Sequence, residues 1–196
     1  MTSNAVDRVL RAAEERLKIA RLGLADMNTP ERAKGGLYNA VVFGRMITFS
    51  LQNLRGVIPD FDGWYTGKQN ELRSNALASY FVTLRNSIEK QAMDHTGNIG
   101  DIKRFGGSDI AKLGPPPPGA TAFFIGDSTG GSGWMVQKPD GSTEPHYIDL
   151  PAEIGSVMMN LPNAPGRYRD MPARQLVAEY LDLLAEVVSE ARAKFA

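Results

Sequence analysis

Four consecutive prolines, Pro115 to Pro118, constrain this chain more than any other feature. Proline fixes φ and has no amide hydrogen, so the run fits neither a helix interior nor a central strand. It dictates an extended, stiff connection. With Gly106, Gly107, Gly114 and Gly119 around it, it marks a Pro/Gly-rich stretch over residues 97–119. Before that stretch, apolar residues recur every three or four positions. After it they come in short runs bounded by turn residues, until a last helical stripe closes the chain. The pattern predicts a mainly α protein: a bundle of about four main helices with a small antiparallel β-meander inserted before the C-terminal helix.

The first helix is expected over residues 4–26, where Val6, Leu10, Ala13, Leu17, Ala20 and Leu24 share one face. Thr29-Pro30-Glu31 reads as a second start: a hydroxyl cap, proline at the first helical position, then an acid at the positive end of the dipole. The helix it opens, to about Leu54, is apolar over more than one stripe and is therefore expected at the centre of the bundle. Its Gly35, Gly36 and Gly44 weaken helix propensity and allow close helix contact. Asp60 is placed to cap a short helix from Phe61 to about Arg73, and Ser74 or Asn75 to cap another reaching about Gln91. Leu77, Tyr80, Phe81, Leu84 and Ile88 form the buried face of the latter, and Gly97 and Gly100 are expected to end it. Asp170-Met171-Pro172 opens the last helix, whose stripe runs from Leu176 through Tyr180, Leu184 and Val188 to Phe195.

Three strands are predicted in the insertion at 120–150: Thr121–Ile125, Trp134–Gln137 and His146–Asp149, with Pro139-Asp140-Gly141-Ser142 as a turn. A sheet this small must lean on other structure, so residues 1–196 read as a single domain, the bundle being 4–92 and 171–196. The 22 basic side chains equal the 22 acidic ones, which argues against a nucleic-acid coat or a membrane-surface protein. Across residues 1–112 there are 16 basic and 12 acidic groups, so the helical part is mildly basic. Cysteine is absent, removing disulfides and thiol chemistry, and the two histidines leave no expected metal site. No cofactor is expected. The N-terminal residues lead directly into a charged amphipathic stretch, and no apolar run approaches membrane-spanning length. A cytoplasmic setting, in a cell or a phage-infected host, is expected.

Few residues are candidates for chemistry. Gly126-Asp127-Ser128-Thr129-Gly130 follows a strand and matches the nucleophile-elbow pattern, but a helix should come next to present the serine, and here a strand follows. A glycine-rich loop between strands explains the segment, with a serine hydrolase at Ser128 as the least favoured function. His95 falls at an expected helix end, where a protonated imidazole gains from the dipole. His146 is expected at the surface of a strand. Asp94, His95 and Asp101 could form a metal site only on paper, since nothing in their spacing requires it. Phe61, Trp64 and Tyr65 are expected to anchor their short helix, base stacking being the alternative. Arg85-Asn86 lies beside a buried apolar face, so both need partners. An inter-helix clamp to an acid on the first helix would supply them, and so would an anion in a polar pocket.

The run Phe43-Gly44-Arg45, Thr48-Phe49, Leu51-Gln52, then Phe61-Asp62-Gly63-Trp64-Tyr65 and Tyr80-Phe81-Val82-Thr83-Leu84-Arg85-Asn86 resembles a group of bacterial helical-bundle proteins related to the HEPN superfamily. The likeness spans about residues 35–92. It implies an α-helical bundle that often dimerises, and for many members a metal-independent ribonuclease. In these an arginine, usually followed by a polar residue, stabilises the phosphorane-like charge, and a histidine a few residues beyond handles the 2′-hydroxyl proton. Arg85 and Asn86 match the first half of that motif. His95, ten residues past Arg85, lies beyond the family spacing. The resemblance therefore implies a non-catalytic binding or interaction module for a partner protein or nucleotide-like ligand, with Arg45, Arg85 and Asn86 as ligand-binding candidates. The alternative is an RNA-cleaving enzyme of defence or toxin type using Arg85, Asn86 and His95. A homodimer and an RNA or nucleotide ligand are the expected partners.

Overall fold

The computed structural model describes residues 2–90 and 95–196. The protein is mainly α. Its helices are α1 (Thr2–Asp26), α2 (Pro30–Leu51), α3 (Phe61–Ser74), α4 (Ala76–Lys90) and α5 (Ala173–Phe195). Its strands are β1 (Gly97–Ile102), β2 (Ala120–Ile125), β3 (Ser132–Gln137), β4 (Thr143–Ile148) and β5 (Gly155–Asn160). The chain forms two compact units, one built from the helices and one from the strands.

In the helical unit, Val6, Leu10, Ala13 and Ala20 of α1 are buried, following the predicted stripe. α2 is buried on several sides, through Ala33, Leu37, Ala40, Val41, Ile47 and Leu51. It has the central place its sequence predicts, and glycine is what lets its neighbours close in. A Cβ on Gly36 would lie 2.5 Å from the carbonyl oxygen of Gly23, and one on Gly44 would lie 2.9 Å from the Tyr180 ring. α5 packs its predicted stripe inward, with Leu176, Leu181 and Leu184 at 1% exposure or less, and Tyr180 stacks on Phe81 at 4.5 Å between ring centroids. Phe61 is fully buried, and both it and Trp64 meet Phe195, at 5.8 and 5.2 Å. These aromatics anchor α3 to the last turn of α5. Arg192 of α5 grips both carboxylate oxygens of Glu14, at 2.5 and 3.0 Å, and reaches Asp7 at 3.2 Å, tying α5 to α1.

Several local expectations are corrected. Thr29 is extended at the head of α2, but its hydroxyl makes no cap bond; its carbonyl instead accepts from the Arg32 N–H at 2.9 Å. Asp60 likewise makes no side-chain cap to α3, and its neighbour Asp62 is drawn to Arg55 at 2.6 Å. Asn75 does cap α4, accepting from the Ala78 N–H at 3.0 Å. The α geometry of α2 stops at Leu51, and residues 52–56 tighten into a 3-10 turn.

The strand unit differs more from expectation. β2, β3 and β4 form the predicted antiparallel meander, in register Phe123↔Trp134↔His146. A second antiparallel pair, β1–β5, was not anticipated. The stretch 97–119 is therefore more than a connection: Gly97 and Gly100 lie within a strand, and residues 107–113 form a 3-10 helix. The glycines allow close pairing, since a Cβ on Gly97 would meet the Asn160 side chain at 2.8 Å and one on Gly100 would meet Val157 at 3.3 Å. The prolines 115–118 lie outside every helix and strand, as their chemistry requires.

Candidate functional site

The Gly126–Gly131 loop joins β2 to β3 and is organised by Asp127 rather than Ser128. One Asp127 carboxylate oxygen accepts from the Thr129 N–H (2.8 Å), the Thr129 hydroxyl (2.6 Å) and the Gly131 N–H (3.1 Å). The other accepts from the Tyr147 hydroxyl at 2.6 Å. Burial pushes this carboxyl up, but the bonds from Thr129, Tyr147 and Gly131 outweigh it and hold the group below the usual carboxylate range. Gly126 and Gly130 take positive φ, at 76° and 80°. The arrangement is a turn locked by one acid, and β3 follows directly where an elbow would need a helix.

Arg85 and Asn86 are together, and among the described residues neither makes a hydrogen bond to another helix. Arg85 pairs with Glu89 one turn along α4, at 2.8 Å, and donates to Asn86 Oδ1 at 3.1 Å. Its Nε is buried without a hydrogen bond. The expected clamp to an acid on the first helix is thus replaced by an acid on the same helix, because an i,i+4 carboxylate is the nearest available. His95 is buried, and its Nε2 has no hydrogen-bond partner. Among the described residues no hydrogen bond or ion pair joins His95 to Arg85 or Asn86. Asp94 lies outside the described residues, and among those described no cluster of three or more His, Cys, Asp or Glu side chains could hold a metal. His146 is exposed.

The helical unit instead opens a cavity of about 300 Å³ among α2, α3, α4 and α5. It is lined by helical stripes: Arg45 and Thr48 of α2; Tyr65, Lys68, Gln69 and Leu72 of α3; Ala78, Val82 and Thr83 of α4; and Tyr180, Leu184 and Val187 of α5. Arg73 and Ser79 complete it where α3 turns into α4, held there by the Ser79 hydroxyl donating to the Arg73 carbonyl at 2.8 Å. Among the described residues the wall carries three cations and no carboxylate.

Each cation is placed differently. Arg45 is half-buried, donates to the Thr48 hydroxyl at 3.1 Å and lies 4.4 Å from the centre of the Phe49 ring. It has no carboxylate partner among the described residues. Lys68 is 15% exposed and bonds Glu190 at 2.6 Å and Glu71 at 2.8 Å, contacts that raise its pKa, Glu190 most. Arg73 is exposed at the rim. Tyr65 donates to the Thr48 carbonyl and accepts from Gln52, both at 3.0 Å, which fixes the floor. Burial pushes the Tyr180 hydroxyl up to about 12, against a smaller downward pull from Arg45, so it stays neutral.

Of the residues singled out in the sequence, Arg45 lines this cavity, while Arg85, Asn86 and His95 do not. Tyr65, named in the sequence as an anchor with base stacking as the alternative, also lines it, while Lys68 and Arg73 were missed. Their one signal is the spacing of Tyr65, Lys68, Gln69 and Leu72, a helical stripe that mixes polar and apolar residues where a core stripe is uniform.

Residues 3–97 match the family of bacteriophage lambda protein ea47. The match is similarity over α1 to α4 and just short of half the chain; it leaves out α5 and nearly all of the strand unit. No curated protein and no solved structure matches the chain. Among the described residues no helix is long and apolar enough to cross a membrane.

Proposed function

We propose that this chain is a HEPN-like helical-bundle protein that works as a non-catalytic binding module, holding a nucleotide-like anion in the cavity between α2, α3, α4 and α5. The observation that carries this reading is Arg45: a half-buried guanidinium on the wall of a cavity, with no carboxylate among the described residues to balance it. Leaving such a charge uncompensated is costly, and an anionic ligand removes the cost with charge-assisted hydrogen bonds. Leu72, Val82, Leu184 and Val187 give the same cavity an apolar wall for a base, the mixture of apolar lining and few polar groups that ligand sites share. The non-catalytic part of the reading is supported by Arg85, whose terminal nitrogens are already engaged by Glu89 and Asn86.

Calorimetric titration of the whole chain with nucleotides and with the matching nucleosides tests this. Nucleotides should bind and nucleosides should bind far more weakly. Arg45→Met should weaken nucleotide binding at least about tenfold, the loss of one charged hydrogen-bonding group, with no fall in melting temperature. RNA incubated with the pure protein should stay intact. Binding unaffected by Arg45→Met, or RNA cleavage lost in Arg85→Ala and His95→Ala, would overturn the proposal.

A further inference from the structure

Given the ligand site proposed above, on which this inference rests, two cations of the cavity are free to meet an anion. Lys68 is not one of them, because its ammonium is shared by Glu71 at 2.8 Å and Glu190 at 2.6 Å. Arg45 and Arg73 both line the cavity, and neither has a carboxylate partner among the described residues. Their settings differ. Arg45 is half-buried and donates to the Thr48 hydroxyl at 3.1 Å. Arg73 is exposed, and among the described residues its guanidinium makes no hydrogen bond or ion pair, so it can fold over the mouth without breaking a contact. Glu71 and Glu190 lie outside the lining, and their side chains are 65% and 49% exposed, so water and salt screen their charges. α4 contributes no charged residue to the wall, and burial pushes the Tyr180 hydroxyl of α5 up to about 12. An anion with one charge answers one guanidinium. An anion with two charges answers both, through charge-assisted hydrogen bonds from each. Size adds a limit: about 300 Å³ is the lower end of the range for ligand cavities, room for one nucleotide and not for a strand.

We propose that the cavity selects a phosphomonoester dianion, of the class of nucleoside 5′-monophosphates, over monoanionic phosphodiesters such as nucleoside 3′,5′-cyclic monophosphates, with Arg45 holding the phosphate from the wall and Arg73 closing on it from the rim. A phosphomonoester gains its second charge with a pKa of about 6, whereas a phosphodiester keeps one charge at all working pH values. Among the described residues the lining holds no histidine and no carboxylate, so between about pH 5.5 and pH 8 the change of charge belongs to the ligand.

Titration calorimetry on the full chain, at low ionic strength so that the two guanidinium charges are not screened, compares 5′-monophosphates, cyclic monophosphates and dinucleoside monophosphates of all four bases. At about pH 8 the best 5′-monophosphate should bind at least about fivefold tighter than its cyclic counterpart. At about pH 5.5 most of the monoester carries one charge, so its affinity should fall and the gap should shrink by more than half, while the cyclic affinity stays level. Arg73→Met should bring the 5′-monophosphate down to the cyclic affinity at the higher pH and leave the cyclic affinity within about twofold. Its melting temperature should not change, because the side chain is exposed. Arg45→Met should weaken both classes. A cyclic or dinucleoside monophosphate that binds as tightly at the higher pH, a gap that does not shrink on acidification, or an equal loss of both classes in Arg73→Met would overturn the inference. If both classes bind equally and both are lost in Arg45→Met, only the selectivity fails. If neither binds, the ligand site itself fails.

Discussion

Gly35 and Gly36 are adjacent in sequence and opposite in consequence. A Cβ on Gly36 would fall 2.5 Å from the Gly23 carbonyl oxygen and 2.9 Å from the Asp26 Cβ, whereas one on Gly35 meets nothing within 4 Å. Backbone cannot move aside as a flexible side chain can, so Gly36→Ala must push α1 and α2 apart. It should cost about 1–3 kcal/mol, the range for overpacking. Gly35→Ala should stabilise by up to about 1 kcal/mol, by raising helix propensity and reducing the freedom of the unfolded chain. Urea unfolding of the two variants checks this, and shifts of the same sign would refute the assignment. Both glycines were legible as weak helix residues. Which one meets the neighbouring backbone depends on the rotation of α2 against α1, and composition carries no record of that.

Helix ends show the same division. Thr29, Asp60 and Asn75 all carry side chains suited to capping, yet only Asn75 forms the bond. Asn75→Ala should therefore cost about 1 kcal/mol, while Asp60→Ala stays within about 0.5 kcal/mol; equal losses in chemical denaturation would contradict the cap assignments. Helix existence was readable because each main helix repeats its apolar positions over many turns. The meander was readable because β2 and β3 are rich in aromatic and branched residues. β1, Gly-Asn-Ile-Gly-Asp-Ile, has no aromatic residue and its two isoleucines are three positions apart, off the alternation of a strand, and its partner β5 lies more than fifty residues away. Glycine at Gly97 and Gly100 lowers strand propensity, and only the close fit against Asn160 and Val157 gives those residues a place.

At the scale of the molecule, the segment similar to the phage family ends at residue 97, but the core of the helical unit does not. α5 brings Tyr180 onto Phe81, Leu181 and Leu184 against Gly44, and Phe195 onto Phe61 and Trp64. It also supplies one wall of the cavity and the Glu190 partner of Lys68. A chain ending at residue 97 should therefore lack a cooperative thermal transition and bind no nucleotide. Adding a peptide spanning residues 171–196 should restore both, as followed by circular dichroism and calorimetry. A fragment that melts cooperatively on its own would show that α5 is dispensable to the core.

Periodicity and covalent chemistry set the local features within the chain itself: helices where apolar residues step by three and four, no regular structure across Pro115 to Pro118, no thiol chemistry without cysteine. Those properties act over a few residues, so sequence alone carries them. The cavity is different. Arg45, Lys68, Val82 and Tyr180 lie on four helices, and nothing local marks them as neighbours. Packing left Arg45 without a carboxylate among the described residues and gave Arg85 to Glu89, because the supply of counter-charges is decided by distances in space that only the folded chain creates.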